Sequence, residues 1–84
     1  MYFDFQALGN VIRRLRTQRR LSQDVLSGLA GISRSHLSMI ECAAMEPTLD
    51  TLHKIAHALD MSVCDLLRMQ EEEAGKGASS GADD

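Results

Sequence analysis

The sequence predicts an all-α domain of five short helices, and three observations carry that expectation. Apolar residues recur at three- and four-residue intervals through successive segments, the period of one buried helix face. Ser22, Ser33 and Ser62 stand at the starts of such segments, where a side-chain oxygen can accept from an unpaired backbone N–H. The only proline, Pro47, breaks the chain between two of the units.

The elements follow in order. Asp4 is the N-cap of a first helix whose inward face is Phe5, Leu8, Val11, Ile12 and Leu15. Ser22 caps a second, with Val25, Leu26 and Leu29 facing inward, and Ser33 caps a third, with Ile32, Leu37 and Ile40 inward. After the loop 42–46 and Pro47, Thr48 starts a fourth helix in which Leu49, Leu52, Ile55, Ala56 and Leu59 keep helical spacing. Ser62 and Asp65 form a Ser-x-x-Asp capping pattern for a fifth, carrying Val63, Leu66 and Leu67. From about Glu71 the chain reads EEEAGKGASSGADD, with no apolar residue larger than Ala. Such a segment does not repay its ordering entropy, so a folded domain over 1–70 and a disordered acidic tail over 71–84 are expected.

The stretch 22–41, SQDVLSGLAGISRSHLSMIE, organises the rest. Two helices crossing near a right angle need a small side chain where their backbones approach and a residue tolerant of positive φ at the bend. Ser27 and Gly31 supply these, and Arg34, Ser35, Ser38 and Met39 are left on the outer side of the second helix of the pair. This is the helix-turn-helix arrangement, whose second helix enters the DNA major groove.

Eighty-four residues allow one small domain. With 44% hydrophobic residues but no Trp, the core must be aliphatic. No run approaches the ~18 apolar residues of a membrane span, and the N-terminus MYFDFQALGN lacks the pattern of a secretory signal, so a cytoplasmic protein is expected. Cys42 and Cys64 form no CxxC pattern and read as reduced thiols.

The net charge of −3 looks wrong for a nucleic-acid binder until it is split by position. Residues 1–68 hold eight cations against seven acids, and residues 69–84 hold one against five. The acidity therefore sits in the tail, and five of the cations fall within 13–20. For Arg13, Arg14 and Arg20 two readings stay open: helix-end cations on a solvated face, which suit the helix dipole, or phosphate ligands. The acidic tail would compete with phosphates for this patch.

Residues 8–67 resemble the XRE family, the helix-turn-helix domain of phage repressors, Cro proteins and many small bacterial regulators. The resemblance rests on IRRLR in the first helix, then LSQDVL, GISRSHLSMIE, PTLDTL and KIAHALDMSVCDLL, in the family's order and spacing. It implies a compact five-helix, repressor-like domain that binds double-stranded DNA, usually as a homodimer on a roughly palindromic operator, and regulates transcription. It also implies base reading by Arg34, Ser35, Ser38 and Met39, with Arg34 suited to guanine O6 and N7. Gln23 would hydrogen-bond a phosphate at the start of the second helix, where backbone amides beside Ser22 also suit an anion. His36, nearer the flank, is either a phosphate ligand or a surface histidine. Arg16 and Glu41 match a pair that in the family bridges the first helix to the end of the third, a structural bridge. Two departures stand out. Met39 offers only apolar contact, and the loop after Glu41, CAAME, lacks the family's Gly and basic residue, leaving Ala43 where a Gly-like conformation is wanted.

Val63, Leu66, Leu67 and Met69 exceed what one side of a short fifth helix needs, which points to a dimer seam as well as to core packing. His53 and His57 share a helix face at i, i+4, but no third ligand aligns with them, so no metal site is expected. No nucleophile–base grouping or cofactor fingerprint appears, so neither an enzyme nor a cofactor is expected. A protein-interaction module on the same fold is the second reading, supported by Met39, the uncharged loop and the overall acidity.

Overall fold

The computed structural model describes the backbone of residues 3–83 and the side chains of residues 3–75. The chain forms α1 (Phe5–Gln18), α2 (Gln23–Ala30), α3 (Arg34–Glu41), α4 (Leu49–Ala58) and α5 (Val63–Asp83), with no strand among the described residues. The caps fall where the side-chain chemistry puts them. Asp4 accepts from Gln6 N and Ala7 N, Ser22 from Val25 N, Ser33 from His36 N, Thr48 from Thr51 N and Ser62 from Asp65 N.

Helix ends follow one rule with an uneven choice of residue. A left-handed residue after a helix lets the next N–H reach back to a carbonyl five residues earlier. Gly31 does so after α2 at φ 73°, and Ile32 N donates to Ser27 O at 3.0 Å. After α1, α3 and α4 the left-handed residue is Arg20, Ala43 or Asp60, at φ 57°, 61° and 60°. The expectation of a Gly-like conformation at Ala43 is therefore met.

Helix α1 packs on α5 and α3, α2 on α3 and α4, and α4 on α5. The core between them is aliphatic: Leu8, Val11, Ile12, Leu26, Leu37, Ile40, Ile55, Leu59 and Leu66 are fully buried. Gly9 lies inside α1, where glycine weakens a helix by roughly 0.5–1 kcal/mol relative to alanine. Packing supplies the reason, because a Cβ there would stand 2.5 Å from Glu41 O and 2.7 Å from Ile40 O. Helices α1 and α3 thus meet backbone to backbone.

Three expected inward residues face outward. Val25, Leu29 and Leu49 are 48%, 63% and 68% exposed. In α2 the buried row is Leu26, Ser27 and Ala30, and 25 and 29 lie on the other side of a helix of only eight residues. Leu49 opens α4 one turn before Leu52, Ile55 and Ala56 meet the core.

Residue 70, the expected end of the domain, lies within α5. Helix α5 continues, Gln70 is fully buried with its Oε1 accepting from Asp4 N at 3.0 Å, and Ala74 is 6% exposed. Glu73 Oε1 lies 2.8 Å from Arg14 Nη1. Leu66, Gln70 and Ala74 recur every four residues along the side that is buried. The rest of the expected acidic tail, beyond residue 75, lies outside the described side chains.

Candidate nucleic-acid interface

The turn through Gly31 joins α2 to α3, and Ser27, whose carbonyl accepts from Ile32 N in that turn, is 4% exposed. Leu37 and Ile40 anchor α3 in the core, which turns the opposite side outward. That side carries Arg34, Ser35, Ser38 and Met39. With Gln23 from the start of α2 they line one open groove of about 460 Å³. The four expected base readers and one expected phosphate ligand thus converge.

Behind the groove is a buried polar network. Glu41 is 3% exposed, yet its carboxylate is fully engaged. Arg16 Nε donates to Oε2 at 2.8 Å and Arg16 Nη2 to Oε1 at 3.1 Å, the two-pronged pairing of guanidinium with carboxylate. Gln23 Nε2 donates to the same Oε1 at 3.0 Å, and Arg16 Nη1 donates to Leu21 O at 2.8 Å. One guanidinium therefore ties α1 to the end of α3 and to the α1–α2 connection, and Gln23 joins α2 to the same carboxylate. No buried side-chain polar atom among the described residues lacks a partner.

The cation cluster divides by helix face. Arg16 belongs to this network and Arg14 faces Glu73 of α5. Arg19 Nη1 donates to Leu15 O at 3.3 Å. Arg13 and Arg20 are exposed and make no ion pair among the described residues. Arg13 lies on the same row of α1 as Gly9 and Arg16, the row that meets the end of α3. Ser22 spends one acceptor on Val25 N, and His36 is half-buried on the flank of α3.

Of the four expected seam residues, Leu66 is fully buried within the protomer and belongs to the core. Val63, Leu67 and Met69 are half-buried against that core. Exposed Leu49 lines an apolar groove with Val63, Asp50 and His53. Cys42 and Cys64 are free and exposed. The His53 and His57 rings lie 6.3 Å apart, and among the described residues no group of three or more His, Cys, Asp or Glu could hold a metal ion. No helix among the described residues is long and apolar enough to cross a membrane.

Three features of the site escape a reading of the sequence: one glycine and two contacts. Gly9 leaves a trace there, a glycine inside a helical pattern. The link from Gln23 to Glu41 and the contact of Asp24 with Arg34, Oδ1 to Nε at 3.6 Å, join residues 18 and 10 apart in sequence across a turn, and no local pattern encodes them.

A family model described as "Helix-turn-helix" (HTH_3) matches residues 12–66. The chain is 35% identical over 63 residues to the HTH-type transcriptional regulator y4dL of Sinorhizobium fredii, a match over 75% of this chain and 32% of that protein. It therefore spans about a third of that relative's length. Among solved structures it resembles the restriction-modification controller protein C.AhdI from Aeromonas hydrophila, with 35% identity and a TM-score of 0.73 over 77% of this chain and 98% of the controller. It also resembles SinR, a master regulator for biofilm formation solved in complex with DNA, with 34% identity and a TM-score of 0.67 over 71% of this chain and 97% of SinR. The matched region contains α2, the turn, α3 and most of the core, so the chain belongs to the helix-turn-helix family.

Proposed function

We propose that this chain is a DNA-binding transcriptional regulator that sits as a homodimer on an inverted repeat and represses where that repeat overlaps a promoter. The observation that carries the reading is the convergence of Gln23, Arg34, Ser35, Ser38 and Met39 on one open groove, on a helix held from behind by the buried Arg16–Glu41 pair. Arg34, at the first position of α3, presents two parallel N–H groups to guanine O6 and N7. Ser35 and Ser38 hydrogen-bond base edges, and Met39 packs on a thymine methyl. Gln23, Ser22, His36, Arg13 and Arg20 take phosphates, which fix position without reading sequence. Gln23 keeps this role while bonded to Glu41, because its amide nitrogen carries a second N–H. Val63, Leu67 and Met69, with Leu49 beside Val63, form the seam that sets two recognition helices about 34 Å apart.

Selection of a random duplex library by the purified protein, repeated with Arg34→Ala, tests the reading. An inverted repeat is expected, with one position per half-site relaxed in the variant. Failure to enrich any sequence at low salt would reject it. A dilution series by sedimentation tests the dimer, and a strict monomer at tens of micromolar would remove the seam.

A further inference from the structure

Asp24 is the second residue of α2 and Arg34 the first of α3, and the turn between the helices brings their side chains together. Asp24 Oδ1 lies 3.6 Å from Arg34 Nε, with the two side chains 73% and 65% exposed. A pair this open to water contributes little to stability. An acid beside a DNA-facing groove also opposes phosphate binding. The contact has a different consequence, set by which nitrogen it uses.

A guanidinium carries five N–H donors in a fixed fork. Guanine takes two of them in parallel, through O6 and N7. The Asp24 carboxylate meets the fork at Nε, on its flank, and leaves both terminal nitrogens for a base. We propose that Asp24 is a positioning residue for Arg34. It restrains the guanidinium plane at Nε so that the terminal nitrogens address a guanine edge, and thereby sharpens sequence preference at that base pair. Without that contact the Arg34 side chain, long and 65% exposed, would reach phosphates and bases alike. The inference rests on the base-reading role of Arg34 given above.

The test is a double-mutant cycle on the selected site, with affinities measured at one salt concentration for duplexes differing only at the base pair that Arg34→Ala relaxes. The proteins are the wild type, Asp24→Asn, Arg34→Ala and the double variant, each checked by thermal melting. Asp24→Asn is expected to tighten binding to every duplex, because a repelling charge is gone. It should also lower the preference for guanine by about threefold or more, within the range of coupling between neighbouring side chains. In the Arg34→Ala background the same substitution should leave the preference unchanged, and Asp24→Glu should retain it in the wild-type background. Uniform tightening with the preference intact would overturn the inference, as would an equal loss of preference in both backgrounds. If Arg34→Ala relaxes no position, the base-reading role fails and the inference fails with it. If Arg34→Ala relaxes a position and Asp24→Asn does not, only the inference fails.

Discussion

Ala43 shows how much a single backbone angle governs in this domain. It follows α3 at φ 61°, and Ala44 N beyond it donates to Met39 O at 2.8 Å, closing α3. An L-residue other than glycine, and less often asparagine or aspartate, is strained in that region by roughly 1–2 kcal/mol. Replacing Ala43 with Gly removes the strain but gives the unfolded chain more freedom, which offsets part of the gain. Ala43→Gly is therefore expected to stabilise the domain by about 0.5–1 kcal/mol, raising the melting temperature by a few degrees. A thermal scan checks it, and a fall in melting temperature would mean that the alanine methyl makes contacts worth more than the strain. Gly9 is the opposite case. Its φ is ordinary, and glycine is required by the carbonyls of Ile40 and Glu41 at 2.7 Å and 2.5 Å from where a Cβ would be.

At the scale of elements, the position of α3 depends on Glu41. Its carboxylate receives α1 through Arg16 and α2 through Gln23, while Leu37 and Ile40 hold the same helix in the core. Burying two charges is costly, so the pair as a whole adds little net stability; removing one partner is different, because the other charge stays buried alone. Glu41→Ala is expected to cost about 3–5 kcal/mol in urea unfolding, a large share of the ~5–15 kcal/mol that holds a small domain. The paired replacement Arg16→Met with Glu41→Leu should cost much less. Equal costs would mean that the network stabilises as a pair and not through avoidance of a lone charge. Gln23 loses its partner in either variant, so DNA affinity should fall even where the fold survives.

For the whole molecule, charge is sorted by helix face more than by position along the chain. Arg14 points to Glu73 of α5 and Arg16 to Glu41, while Arg13 and Arg20 remain exposed. Each phosphate contact contributes a slope of about 0.9 to the fall of log affinity with log salt on duplex DNA. Arg13→Ala and Arg20→Ala should each flatten that slope by roughly this amount per protomer, and Arg14→Ala should leave it unchanged. Equal flattening by all three would return Arg14 to the phosphate surface. The continuation of α5 through Ala74 bears on the same point, because the Glu73 carboxylate reaches α1 only while the helix persists.

The sequence by itself determined the five helices, their caps, the Ser27–Gly31 turn and the outward set Arg34, Ser35, Ser38 and Met39. These follow from periods of three and four residues, from side-chain oxygens at helix starts and from the φ a bend demands, all local in the chain. Only the tertiary structure decided that Val25, Leu29 and Leu49 face water and that Leu66 belongs to the core. The outward turn of Val25 and Leu29 follows from which neighbours α2 finds in space. The same holds for the division of the arginines, for Gly9 against the end of α3, and for the turn of α5 beyond residue 70. Each of these depends on groups far apart in sequence meeting across an interface. Local periodicity gives a helix an apolar face, but how much of that face is covered is set by the elements that pack against it.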